Sequence, residues 1–484
     1  MTAGRRIFRN IRALGAAKVA TLLAGLVTTA WTARVLGPDH FGILGFGTSM
    51  LAYAALFVNL GLSTYAIREI ARDHDPARAA TLAEHVITLR VLLALVIGLI
   101  YAPLILALDK PALVKTVLLV QALQLLGNAL LLDFVYQATE RMGVIATREI
   151  GTAFGTMAAV LLLVREPDDV VYAAAISAGS FLLNAGLMLV RFRRDFGRLR
   201  PRIDLTVWRR ILAAAAPMAI SVFAWAIFAH LDIVMLGFMA PQEQVGWYSA
   251  SAKVLTLALT AAQIVMNAFI PQLAAAYGDV EQMRARMRDY ATTMLSIGAV
   301  VAVGGVILAP AVLALLFGPA YTPATDALRL LMLSAGIVHL NMTFGNPLLV
   351  WHRQTAYMTV ILVGGAVNAL LNILLIPRWG IEGAALATVA AELTALAGLA
   401  WMHRKAVGQL YPGIVARAGL CAALTLGATG ALIHALPAAL SLQQHPLVAL
   451  IAIGGLIVAL HALALVATGL IRPSRLRQLI GVAA

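Results

Sequence analysis

Lys18, Arg34, Arg68, Arg90, Lys253 and Arg329 lie inside or at the ends of long apolar stretches of this 484-residue chain, and Asp232 is the clear acid placed likewise, in the stretch 212–239. A charged side chain at the centre of a bilayer costs at least about 2.5–3.5 kcal/mol on insertion scales, so each needs a polar cavity or a partner. An excess of cations suits an anionic cargo. A phosphate presents several acceptor oxygens, which Arg grips with a planar fork and Lys meets as a point charge. Asp232 suits a different task, the relay of a proton or the holding of a coupling cation, with H+ and Na+ as the candidates. Every cation also has a structural reading. Lys18, Arg34 and Arg90 can extend toward an interface. Arg68 can pair with Glu69 or Asp73, Arg329 with Asp326 one turn earlier, and Lys253 with Asp232 across the hairpin of the seventh and eighth spans. Asn368 and Asn372, one turn apart on one face, suit either sugar hydroxyls or a neighbouring helix. Glu392 is a second, weaker coupling candidate. No nucleophile–base pair, Gly-rich nucleotide loop or metal-ligand cluster stands out, so no catalytic residue, metal or cofactor is expected, and the sole cysteine, Cys421, excludes an intrachain disulfide.

These side chains must be carried by helices in a membrane. Hydrophobic residues make up 61% of the chain and charged residues 12%, against roughly 25% charged in globular domains, and the mean hydropathy is +0.89. No Asp, Glu, Lys or Arg occurs between Lys253 and Asp279, between Asp289 and Asp326, or between Arg417 and Arg472. A spanning helix needs about 20 apolar residues, and the last gap holds two. This excludes a soluble enzyme, a disordered chain and a secreted disulfide scaffold. The pattern predicts an all-α polytopic membrane protein with about fourteen spans, near 14–35, 43–65, 86–108, 114–135, 149–165, 170–190, 212–239, 247–275, 291–317, 327–350, 357–376, 381–401, 413–436 and 446–471. Of the 36 Lys and Arg, 27 fall on the N-terminal side of that topology. Such an asymmetry in short loops places both termini in the cytoplasm and explains the net charge of +14 without nucleic acid. No cleavage site ends the first apolar stretch, so it reads as a membrane helix.

The chain repeats itself. LGPDHFG at 36–42 is echoed by LGFMAPQEQVGWY at 236–248, and VYQATERM at 135–142 by VWHRQTAYM at 350–358. Segment 162–194 aligns without gaps on 373–405. Six-span repeats enter the membrane in the same orientation, which predicts two pseudo-symmetric lobes, an arrangement of alternating-access transporters. The N-lobe is expected at 1–195 and the C-lobe at 196–410, with the basic linker 191–210 as hinge, topology anchor or docking site for anionic lipid headgroups. Two appended helices and a cytoplasmic tail occupy 411–484.

RVLGPDHFGILGFGTSM, GLSTYAIREIAR, LDIVMLGFMAPQEQVGWYSASAKVL and NILLIPRWGIEGAALAT together resemble the Wzx-type polysaccharide (O-antigen and exopolysaccharide) flippases of the multidrug/oligosaccharidyl-lipid/polysaccharide exporter superfamily. The resemblance runs through essentially the whole chain. It implies a MATE-like fold of two six-helix lobes plus two C-terminal helices, in a bacterial inner membrane. It implies movement of undecaprenyl-pyrophosphate-linked oligosaccharide from the cytoplasmic to the periplasmic leaflet, for cell-surface polysaccharide biosynthesis. It also places an Arg at the family's LGP turn, matched by Arg34. The expected partners are the lipid-linked oligosaccharide and membrane lipids, with polysaccharide polymerase and chain-length machinery as further candidates and a monomer as the working unit.

Three other readings compete. A drug/cation antiporter of the same superfamily would favour carboxylates in its cavity, where this chain favours cations. A lipid II flippase shares the anionic-cargo logic, although the motifs fit the oligosaccharide group better. A membrane-embedded polymerase or ligase would need a long outer loop, and the longest outer connection here is about ten residues.

Overall fold

The computed structural model describes residues 3–73, 75–435 and 446–471, and all of its long elements are helices. Contacts divide the chain into two compact units, 1–237 and 238–484. Eleven helices among the described residues are long and apolar enough to cross a membrane. Two of these are of double length, α1 (Ala3–Asn59) and α13 (Gln354–Val407). A straight helix of either length would rise more than about 80 Å at 1.5 Å per residue, against about 30 Å of hydrocarbon. Each is broken at a glycine, Gly37 (φ 72°, ψ 173°) and Gly380 (φ 53°, ψ −126°), conformations that a β-carbon disfavours. Pro38 follows the first break, where its missing N–H and fixed φ suit the start of a helix. With each half counted separately and the equally apolar α9 (Leu205–Met239) added, about fourteen spans are accommodated.

The first unit continues with α2 (Leu62–Asp73), α3 (Pro76–Ala107), α4 (Ala112–Ala122), α5 (Gln124–Ala129), α6 (Asp133–Ala138), α7 (Met142–Leu163) and α8 (Val170–Phe196). The expected fourth span is thus three short helices. α9 belongs with this unit. Trp208, Ile211 and Ala215 share a core with Leu62, Ala66 and Ile70 of α2, and a β-carbon on Gly61 would stand only 2.8 Å from the Ala219 backbone nitrogen. The packing boundary at Gly237 therefore lies beyond the repeat boundary read near 195.

The linker 191–210 is tied to the first unit. Glu84 on α3 accepts from the Arg202 side chain (2.6 Å) and the Arg200 backbone (2.9 Å), and Thr88 accepts from the Arg202 backbone (3.1 Å). At its start, Asp195 receives Arg191 (2.9 Å) and the Tyr136 hydroxyl (3.3 Å). The linker is thus fastened to α6 near its start and to α3 near its middle.

The second unit comprises α10 (Gln242–Ala275), α11 (Val280–Leu316), α12 (Thr325–Val350), α13, α14 (Pro412–Ala435) and α15 (Pro446–Ala467). Asp279 caps α11; the backbone N–H groups of Gln282 and Glu281 hold its carboxyl below the usual carboxylate range. α12 packs against α10, α11 and α13. The last two helices lie on α11, where buried His461 meets the Ser296 carbonyl (3.0 Å) and the Thr425 hydroxyl (3.2 Å).

The repeat is visible in the turns. Glu140 (φ 56°) and His352 (φ 59°) both adopt the left-handed region. Each is followed by an Arg whose N–H reaches five residues back, Arg141 to Tyr136 and Arg353 to Leu348, both at 2.8 Å. These are matching Schellman closures. The gapless alignment also places Asp169, just before α8, on Gly380, just before the second half of α13.

Candidate functional site

Lys18, Arg34, Arg68, Arg90 and Asp232 belong to the first unit, and Lys253 and Arg329 to the second. In the first unit α1 carries Lys18 and Arg34, both exposed. They stand about 24 Å apart along the helix at 1.5 Å per residue, too far to grip one pyrophosphate together. Arg34 is flanked on its exposed face by Trp31 and Val27. Arg68 is exposed on α2, opposite the buried Leu62, Ala66 and Ile70. Asp232 is buried on α9. Tyr53 of α1 meets the neighbouring His230 edge-on, with ring centroids 6.4 Å apart, and lies within electrostatic range of Asp232.

Arg90 does something else. It is 3% exposed, and its guanidinium points into the break between α5 and α6. Nη1 donates to the Leu131 carbonyl (3.2 Å) and Ser63 Oγ (3.5 Å), and Nη2 donates to the Asn128 carbonyl and to Asn128 Oδ1 (3.1 Å). A helix that breaks at membrane depth frees carbonyls that lipid cannot satisfy. Arg90 satisfies two of them. In this arrangement it acts as a backbone clamp. Arg329, on α12 of the second unit, donates to Asp326 at 2.9 Å, so the pairing alternative holds for it.

A further cation, unrecognised in the sequence, is also committed internally. Arg148 sits in the second turn of α7 and grips Asp133 of α6 through both oxygens, at 2.5 and 3.0 Å. Its side chain is 7% exposed. The sign in the sequence was Asp133 at the edge of the apolar fourth span.

Lys253 of the second unit is exposed, well inside α10. The opposite face of α10 buries Ala262, Met266 and Leu273. From Lys253 onward its own face reads Thr256, Thr260, Gln263 and Asn267, at steps of three and four that keep all five on one side. Gln263 Nε2 lies 3.5 Å from Asn267 Oδ1. This neutral stripe is legible in the i, i+3, i+7 spacing of the sequence. Asn368 and Asn372, by contrast, are buried and bonded to each other at 3.1 Å along α13. Glu392 accepts from Asn341 at 2.5 Å. Among the described residues no group of three His, Cys, Asp or Glu gathers to hold a metal ion.

Residues 7–277, more than half the chain, match the family described as polysaccharide biosynthesis protein. The chain belongs to that family. A relative within reach of it is a protein of Escherichia coli (strain K12) named O-antigen transporter, 22% identical over 394 residues that cover 79% of this chain and 93% of the relative. Among solved structures, the lipid II flippase MurJ in an inward closed conformation superposes with a TM-score of 0.77 at 13% identity, covering 96% of this chain and 99% of that one. An inward-facing multidrug resistance MATE family transporter of the MOP superfamily gives 0.61 at 15% identity, covering 80% and 94%. At these identities the likeness shows the fold, a MOP-type transporter fold. This member of the polysaccharide biosynthesis family is a multi-pass membrane protein.

Proposed function

We propose that the protein translocates an undecaprenyl-pyrophosphate-linked oligosaccharide from the cytoplasmic to the periplasmic leaflet of a bacterial inner membrane by alternating access, both termini being cytoplasmic. The observation that carries this reading is Lys253, a solvent-accessible lysine well inside an apolar helix, at the head of a row of neutral polar side chains on that helix. Lipid cannot solvate it, so a polar medium or an anionic ligand must. Arg34, exposed at the Gly37 break, is the corresponding cation of the first unit. Lys253→Ala and Arg34→Ala are each expected to abolish transport while leaving membrane insertion intact, read by complementation and by the lipid-linked saccharide that accumulates on the cytoplasmic face. Wild-type transport in both would defeat the proposal, and accumulation of lipid II on depletion in the native host would reassign the cargo.

Asp232 is the carboxylate we assign to coupling with H+ or Na+. Asp232→Asn is expected to flatten the pH or sodium dependence of transport in proteoliposomes. A variant with wild-type rate and wild-type ion dependence would remove Asp232 from that role.

A further inference from the structure

We propose that Thr256, Thr260, Gln263 and Asn267 of α10 form a saccharide track, which reads the hydroxyl groups of the cargo's sugars while Lys253 at its head holds the anionic group that joins them to the lipid. The proposal rests on the flippase reading and assigns the sugar-recognition part of it to one helix face.

Four polar side chains on the exposed face of a membrane helix call for a polar occupant, since hydrocarbon offers them nothing to bond. The chemistry of the stripe narrows that occupant. Thr256 donates its hydroxyl proton back to the Ala252 carbonyl (2.8 Å) and Thr260 to the Thr256 carbonyl (3.1 Å), which leaves their oxygens as acceptors on the outer face. One N–H of Gln263 is directed to Asn267, leaving its carbonyl as an acceptor and the Asn267 amide nitrogen as a donor. A surface with both donors and acceptors and no net charge matches a hydroxyl, which donates once and accepts twice. It suits a cationic drug poorly, because no carboxylate or aromatic ring lies in the stripe. It suits a prenyl tail poorly, because it is polar. From Lys253 to Asn267 the stripe runs about 21 Å at 1.5 Å per residue, room for several sugar rings end to end. Below Lys253 no further cation stands on this face, so the track favours hydroxyl-rich neutral sugars over acidic ones.

The experiment uses the full-length protein in nanodiscs and two probes, undecaprenyl pyrophosphate without sugar and the saccharide-bearing undecaprenyl pyrophosphate extracted from a transport-depleted host. Binding of each is measured by native mass spectrometry for the wild type, Gln263→Leu/Asn267→Leu, Thr256→Val and Lys253→Ala. The expected result is that the double variant loses about tenfold or more in affinity for the saccharide-bearing lipid. It should bind the sugar-free lipid as the wild type does, which also reports that it is folded. Thr256→Val should show a smaller loss of the same kind, and Lys253→Ala should weaken both probes. If the double variant and Thr256→Val bind both probes as the wild type does, or weaken both equally, the track is overturned while the flippase reading stands. If the wild type binds neither probe, the flippase reading itself fails, and the track with it.

Discussion

Arg90 and Lys253 are both cations set well inside apolar helices, one in each unit, and on paper they make the same case for an anionic cargo. Their surroundings separate them. Arg90 is enclosed, with four acceptors from Ser63, Asn128 and Leu131 around its guanidinium. Lys253 is exposed at the head of a row of neutral polar side chains. A planar fork that fits two carbonyls serves the fold, whereas a flexible point charge at the head of a polar row suits a ligand. Depth in the membrane makes a charge costly; only its partners say which debt it settles. The same division places Arg148 and Arg329, which are paired, beside Arg90.

The largest effect is expected at Arg90. Arg90→Ala orphans two backbone carbonyls at about 1–3 kcal/mol each and leaves a void, so the folded state should lose about 2–6 kcal/mol. Arg90→Lys should rescue little, because one ammonium cannot span both carbonyls. Thermal unfolding followed by size-exclusion chromatography checks this against Lys253→Ala, which should melt as the wild type does. An Arg90→Ala protein with a normal melting temperature and no transport would erase the distinction and return Arg90 to the cargo.

The Arg148–Asp133 pair tests whether an enclosed cation is dispensable once its partner goes too. Removing one member of a buried pair typically costs about 3–5 kcal/mol, while replacing both by apolar residues of similar size is often neutral. Asp133→Ala should therefore destabilise strongly, and Asp133→Leu/Arg148→Met should restore the melting temperature and retain transport. A stable double variant that fails to transport would show the pair acting beyond packing.

How far these roles could be read beforehand follows from where their partners sit. The break in α1 was legible, because Gly37–Pro38 allows a left-handed residue and then a helix start. The repeat was legible because the turns recur in residue type, down to the Arg that follows Glu140 and His352. The clamp was not. The carbonyls that Arg90 holds exist only because the fourth span divides into α4, α5 and α6, and that segment contains no proline to announce the division. Likewise α9 follows the linker in sequence and repeats the first span, yet its packing is decided by the close approach of Gly61 to Ala215 and Ala219. Charge and period are local properties; partners across helices are not.

The smallest effect, and the sharpest check on the comparison, lies at Arg329. It is a cation like Lys253 and also exposed, but it bonds Asp326 one turn away at 2.9 Å. An exposed pair of this kind contributes about 0.3–0.5 kcal/mol, so Arg329→Ala should shift the melting temperature barely at all. If exposure alone made a cation part of the cargo site, Arg329→Ala would impair transport as Lys253→Ala does. If a partner on its own helix neutralises its pull on an anion, transport should be unchanged, while Asp326→Ala, which releases Arg329, should raise affinity for undecaprenyl pyrophosphate only where that cation lies within reach of the cargo. Loss of transport in Arg329→Ala with Asp326→Ala unaffected would mean that pairing does not separate structural from binding cations in this fold.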